Sequence, residues 1–413
     1  MNPFRALARH RNFRLFWTGQ TLSLIGTWMQ TMAQGWLALE LTNNAFLVGL
    51  VASAGSLPVL LLSFVAGVYV DRADRLRIVK VMQSLMLTEA VALWLLVLTG
   101  HITIGALLGL AFANGIFSAF EIPARQSLIV DLVGREELGE AIALNTSGFN
   151  LARVVGPAIG AAVIATLGIA WCFAVNALSY GAVLIGLFMI RLPARDTTIV
   201  HGTALAGLRE GFDYMRRTTH VRVLMAAVLV FAVFGTPYLT LMPVVARDRL
   251  GLGAGGYGVL LAAVGVGGFA GALYVAAFSQ RLSRRRLLVG ASCAYAVLLV
   301  CFALVRSPLV ARLMLLAIGF TMILHGSLSN GILQSRVPDA LRGRLMAAYS
   351  FAVVGMAQVV GSFFGGAVAR VAGVAWAIGG GASVMLLYGS WTYWRHRGVW
   401  RPAVSRIAVA SES

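Results

Sequence analysis

The sequence predicts an all-α membrane protein of twelve transmembrane helices in two pseudo-symmetric six-helix bundles, with both termini cytoplasmic. Three observations carry this. The 413 residues are 59% hydrophobic and only 12% charged, about half of the roughly 25% charge of a soluble domain. Apolar runs of the roughly 20 residues that cross a bilayer recur along nearly the whole chain. Finally, 27 of the 33 Lys and Arg residues fall in alternate gaps between these runs. The intervening gaps hold only Arg247, Arg249, Arg306, Arg312 and Arg370, and Arg153 lies inside a run. Positive residues beside spans stay on the cytoplasmic side. The alternation therefore fixes the orientation and demands an even number of spans.

In order, spans are expected near 13–40, 45–70, 78–99, 102–122, 139–166 and 169–190, then 221–246, 255–280, 287–305, 309–334, 343–369 and 373–394. Residues 1–190 form the first bundle, 191–220 a cytoplasmic linker, 221–398 the second bundle and 399–413 a cytoplasmic tail. Within the linker, Leu205, Leu208, Phe212 and Met215 recur at helical spacing, as in a helix lying on the inner membrane surface. Basic hinges follow the second and eighth spans. Polar turns containing Pro123 and Pro338 are expected after the fourth and tenth. Such repeated halves with a site at their interface are a transporter design.

Other readings are narrowed by composition. The net charge of +18 sits beside spans, which points to anionic lipid headgroups and not to nucleic acid. Cys172, Cys293 and Cys301 lie in apolar segments without metal-ligand spacing, so no disulfide and no metal site is assigned. The basic lead-in from Met1 to Arg14 precedes a span too long for a cleavable signal. The glycine series from Gly253 to Gly271 is no phosphate loop, because it lies in a span and lacks a Gly-Lys-Ser/Thr ending. No cofactor and no catalytic residue are expected, and the chain is not read as an enzyme.

Ionisable groups at mid-membrane are the sharpest functional hints. At about 1.5 Å per residue, Glu89, Arg153 and His325 approach the middle of the bilayer, whereas Glu40 and Glu121 fall near its two faces. Thr146, Asn150, Arg153 and Pro157 share one helical stripe, which directs Arg153 to a polar interior. Span one carries Ser23, Thr27, Gln30 and Gln34 as a polar stripe suited to an amphiphilic cargo, since amides both donate and accept. Asn114, Phe117, Phe234, Tyr238 and Asn330 are further candidates for the substrate path.

Several motifs are more specific. Gly67-x-x-x-Asp71-Arg72-x-Asp74-Arg75 follows span two, and Gly156-Pro157-x-x-Gly160 lies in span five. Trp28-Met29-Gln30, Ala33-Gln34-Gly35-Trp36-Leu37, Pro123-Ala-Arg125-Gln126-Ser127 and Pro338-Asp339-x-x-Arg342-Gly343-Arg344 complete the set. Together they resemble the major facilitator superfamily, and within it the efflux subgroup of siderophore and macrolide-type drug exporters. The resemblance covers about residues 1–395. It implies a proton-coupled exporter of a lipophilic or amphiphilic small molecule, monomeric in the bacterial inner membrane and working by alternating access. It also implies that Asp71 latches the outward-open state while Gly67 permits close helix contact. Gly156, Pro157 and Gly160 would form a bent, substrate-tight interface against the span-eight glycines. The second-half hinge, Ser279-Gln280-Arg281-Leu-Ser283-Arg284-Arg285-Arg286, has lost its acids, so any acid–base latch belongs to the first half. An importer of a small metabolite is the alternative within the class. A non-transporting membrane sensor or assembly factor is the alternative outside it.

Overall fold

Helix follows helix, and each boundary has a local cause. A computed structural model describes residues 5–134, 136–192, 213–278, 283–337, 345–346, 348–349 and 351–396. The tail and the Pro338–Arg344 motif lie outside the described residues, as do Leu205, Leu208 and Phe212 of the expected linker helix, Arg135 and residues 279–282 of the second hinge; residues 213–217 are helical, and Met215 packs on the second-series core. A short α1 (Arg5–Arg9) leads into α2 (Arg11–Thr42), which ends on Asn43 in the left-handed region at φ 49°. Asn44 then caps α3 (Ala45–Arg72) by accepting from the Phe46 N–H at 3.0 Å. Asp74 caps α4 (Arg75–Leu98) and Thr103 caps α5 (Ile104–Val133) in the same way. Such caps satisfy N–H groups that have no partner within the helix. Gly134 and Gly168, both at positive φ, end α5 and α6 (Leu138–Leu167), and α7 (Ala170–Met189) follows.

The second series is less regular. The expected span at 221–246 is broken into α8 (Thr219–Val230), a π-helical turn Phe231–Gly235, α9 (Pro237–Thr240), α10 (Met242–Val244) and a second π turn Val245–Arg249. Pro237 and Pro243 each lack an N–H, and each stands in the first two positions of one of these short helices, where no intrahelical partner is lost. Next come α11 (Ala254–Phe278), α12 (Arg284–Phe302) and α13 (Pro308–Gln334). A π segment Phe351–Gly361, α14 (Ser362–Ala372) and α15 (Val374–Arg395) close the described series. Nine helices among the described residues are long and apolar enough to cross a membrane. At 32 residues α2 also has the length, but it carries the glutamines that it buries.

One expectation fails. Pro123 does not open a turn; α5 runs through it to Val133. Ala124, Leu128, Ile129 and Leu132 are buried beyond the proline, and a transmembrane helix tolerates proline where neighbouring helices pack against it. Glu121, one turn before Arg125 in this continuous helix, is 5% exposed.

The helices alternate, so one end of the molecule gathers the hinge arginines and the other, the outer end on the orientation expected from sequence, gathers Asn43, Gly168, Gly251 and Gly373. The apolar core divides along this axis. At the outer end a single cluster joins both series, from Met29, Leu37 and Val51 to Tyr238, Leu260 and Leu315. At the basic end there are two separate clusters. One is built from α2, α4, α5 and α7 around Phe16, Leu128 and Val183. The other is built from α8, α12 and α13 around Val228, Leu288 and Leu328. Among the described residues the apolar core is thus continuous at this outer end and divided at the basic end.

Candidate substrate cavity and coupling site

The polar stripe of α2 meets three other helices at one carboxylate. Asn176 on α7 donates to Gln30 Oε1 at 2.7 Å, which turns the Gln30 amide so that its Nε2 faces Glu89 on α4. Nε2 then donates to Glu89 Oε2 at 3.0 Å and Oε1 at 3.3 Å. Asn114 on α5 donates to the same Oε2 at 3.1 Å. Glu89 and Gln30 are each 4% exposed and Asn176 is fully buried. Buried polar groups need such partners; here, among the described residues, every donor is a neutral amide and no cation enters the network. Glu89, Gln30 and Asn114 are three separate expectations from sequence that the fold brings into contact. Asn176 was missed, although an amide inside an apolar run is the same signal that marks Asn114.

Asn114 also faces a cavity of about 720 Å³. The cavity runs from Gly35 and Val48 toward the outer end to Ser63 and Gln126 nearer the basic end. Thr240, Phe351 and Gly355 from the second series complete its wall. Gln34 lines it with a buried Nε2 that has no hydrogen-bond partner among the described residues, beside the hydroxyls of Thr27, Thr31 and Ser56 and the amide of Gln126.

The remaining candidates sit elsewhere. Arg153 places its guanidinium 3.8 Å from Met322 Sδ and 5.8 Å from the Trp28 ring centroid, bridging the first series to the second. It makes no ion pair among the described residues. His325 is buried on α13 against Ser292 and Phe231, inside the second series. Tyr238 is 1% exposed and donates to Met322 Sδ at 3.7 Å. Asn150 donates back to Thr146 O, and Asn330 accepts from Gln334. Phe117 packs on the apolar core of the first series, while Phe234 is exposed. None of these lines the cavity.

The glycine motif of α6 divides its contacts. A Cβ on Gly156 would meet Trp28 Cβ at 2.7 Å and one on Gly160 would meet Met29 and Met32, so both glycines serve the α2 contact. The α11 glycines instead approach other parts of α6: Gly258 faces the Pro157 carbonyl and Ala161, and Gly265 faces Val154. The helix is continuous through Pro157.

At the basic end, Asp71 is exposed and pairs with Arg75 at 4.0 Å, its one ion pair among the described residues. Arg72 is exposed, and a Cβ on Gly67 would meet nothing within 4 Å. Arg75 carries the firm contact, donating to Asp131 at 3.0 Å and to the Ser127 carbonyl at 3.3 Å across to α5. Asp131 was not foreseen. Asp131→Ala is expected to destabilise the protein by about 1–3 kcal/mol, the cost of leaving a half-buried cation without its acceptor. Thermal unfolding in detergent checks this, with Asp131→Asn retaining part of the loss. Deeper in α5, Arg125 donates to Glu121 at 2.9 Å, and Gln83 ties that carboxylate to Gln20. The i,i+4 spacing of Glu121 and Arg125 was a legible signal.

The amino-terminal helix is anchored by Glu137, which accepts from Arg9 at 3.1 Å and pairs with His10 at 2.9 Å. Desolvation pushes this carboxyl up, but the hydrogen bonds and charge of Arg9 and His10 outweigh it and hold it below its ordinary value. A lowered folded value means the contact contributes fully above the unfolded value and is lost as pH falls through the folded one. Hydrogen exchange at residues 5–14 is therefore expected to accelerate as pH drops below about 4, the ordinary carboxylate range. Glu137→Gln should remove that pH dependence.

A family model described as "Transmembrane secretion effector" matches residues 2–398. The multidrug efflux pump Tap of Mycolicibacterium fortuitum is 30% identical over 331 residues, 78% of this chain and 80% of the pump. The enterobactin exporter EntS of Shigella flexneri is 23% identical, covering 92% of this chain and 91% of its own. Among solved structures, a bacterial homologue of the human lysosomal transporter Spinster, inward-facing and unoccupied, superposes with a TM-score of 0.77 at 15% identity. That match covers 98% of this chain and all of the other.

Proposed function

Because the chain belongs to the transmembrane secretion effector family of major facilitator transporters, we propose that it exports a lipophilic or amphiphilic small molecule by proton-coupled alternating access. It is a multi-pass membrane transporter and not an enzyme. The efflux and siderophore-export roles of its relatives support a cargo that is either a drug-like compound or a siderophore. The proposed architecture has twelve spans in two bundles, 1–190 and 221–398. The linker 191–220, both termini and the tail lie in the cytoplasm, and the protein is a monomer in the bacterial inner membrane. On this orientation the closed outer end and divided basic end describe an inward-open state. The exposed Asp71 is then the latch in its released position.

One observation carries the coupling: Glu89 is held only by amides, and one of them, Asn114, also faces the cavity. A carboxyl without a counter-ion can gain or lose a proton without breaking an ion pair. Oε2 accepts both short amide contacts, so Oε1 is the oxygen with room for the proton. Export driven by proton entry requires cargo binding and proton release to go together, and Asn114, shared between Glu89 and the cavity wall, is where the two meet. Arg153 and His325 are the remaining coupling candidates. Gln30, Gln34 and Asn114 stand nearest the cargo path.

The test is transport by the full-length protein in proteoliposomes with an imposed pH gradient, across a panel of hydrophobic drugs and catecholate siderophores. Movement of at least one compound against its own gradient, abolished by a protonophore, is expected. A panel that moves equally with and without the gradient would sink proton coupling.

A further inference from the structure

A second, smaller cavity lies wholly within the second series, between α8 with its π turn, α12, α13 and α15. Its volume is about 280 Å³, and it shares no lining residue with the central cavity. Its wall is apolar and aromatic, with Phe231, Tyr388 and Trp394 prominent, and it contains no charged side chain. Cys293 and Trp394 are exposed at its rim, where the helices face lipid.

One polar group is built into this wall. His325 is 5% exposed, and its ring stacks on Phe231 at 3.7 Å with a 5° interplanar angle. Phe231 opens a π-helical turn, a device frequent at functional sites. His325 Nδ1 lies 2.7 Å from Ser292 Oγ, and that oxygen lies 2.7 Å from the Leu288 carbonyl. A hydroxyl has one proton. Both short contacts are satisfied only when Ser292 donates to Leu288 and the imidazole donates from Nδ1. Nε2 then keeps its lone pair, and it is buried with no hydrogen-bond partner. A buried acceptor of this kind calls for a donor.

We propose that this cavity is a ligand site, separate from the transport path, for an uncharged lipophile bearing one O–H or N–H donor. The ligand enters from the bilayer, packs on Phe231 and Trp394, and donates to His325 Nε2. Phospholipid acyl chains would fill the apolar volume, but chains and their ester groups bring only acceptors to this depth and leave Nε2 unpaired.

The test uses the full-length protein in phosphatidylcholine vesicles and two photoreactive probes, a phenol carrying a trifluoromethyl diazirine and its methyl ether. Adducts are mapped by mass spectrometry. The phenol is expected to label segments 288–293 and 385–394 about fivefold more than the ether, the effect of one net hydrogen bond. His325→Phe should bring the two to equal levels, and Ser292→Ala, which frees the ring, should shrink the difference. Equal labelling in the wild type would overturn the proposal, and so would phenol labelling unchanged in both variants. Loss of labelling when phosphatidylglycerol replaces phosphatidylcholine would assign the cavity to lipid and overturn it as well. Gradient-driven transport measured on Ser292→Ala, which alters neither the central cavity nor a coupling candidate, keeps this outcome distinct from the exporter reading.

Discussion

Glu89→Gln is expected to eliminate the dependence of transport on the pH gradient while leaving cargo exchange without a gradient nearly intact. The substitution is close to isosteric. The new amide oxygen can still accept from Gln30 and Asn114, which now donate to Oε2 at 3.0 and 3.1 Å, so the four-helix junction keeps its geometry. What disappears is the exchangeable proton. A structural role alone predicts the opposite pattern, with both activities falling together alongside thermal stability. Glu89→Ala serves as the contrast, since it strands the Gln30 and Asn114 donors in a buried site. If Glu89→Gln and His325→Ala both leave gradient-driven transport unchanged, neither residue is the essential carrier and the coupling assignment fails.

Gly49→Leu is expected to shift the conformational balance away from outer closure. Gly49 on α3 packs against α14 so closely that an added Cβ would lie 3.1 Å from Gly366 Cα and 3.3 Å from the Ser362 carbonyl carbon. These are backbone atoms, so relief requires the helices to part. Overpacking of this kind costs about 1–3 kcal/mol, and a free-energy shift of that size changes a two-state ratio about 5- to 150-fold. The readout is a cysteine at Ser56, which lines the central cavity, labelled from outside by an impermeant maleimide in a background lacking Cys172, Cys293 and Cys301. Labelling should accelerate in Gly49→Leu. The control is Gly67→Leu, where nothing stands within 4 Å and no acceleration is expected. Equal rates in Gly49→Leu and the wild type would mean that the outer contact does not limit opening.

How much of this was legible depended on the range of the interaction. Alternating charge and apolar length mark helices because both are local properties of the chain. Glu89, Gln30 and Asn114 stood out singly, since a polar group in a span is expensive wherever it points. Their meeting was not legible: Gln30 and Glu89 are 59 residues apart, and only the packing of α2 against α4 decides that they touch. Asp131 was hidden for the same reason, its partner being 56 residues away on α4. His325 was expected near the transport path on stripe logic, but that logic fixes a face of α13 and not the neighbour it meets. The continuation of α5 through Pro123 shows the converse case. A strong local breaker signal gave way to apolar burial on its far side.

Asn43 performs two jobs whose requirements rarely coincide. Its backbone is left-handed, a conformation that glycine, asparagine and aspartate adopt most readily. Its side chain accepts from Arg247, which also reaches the Leu39 carbonyl at 3.4 Å, across the outer closure. Glycine would keep the turn and release the arginine; aspartate would keep both and add a full charge to the contact. The neutral amide holds Arg247 without adding a charge. One residue therefore carries both the turn that reverses the chain and a contact between the two series.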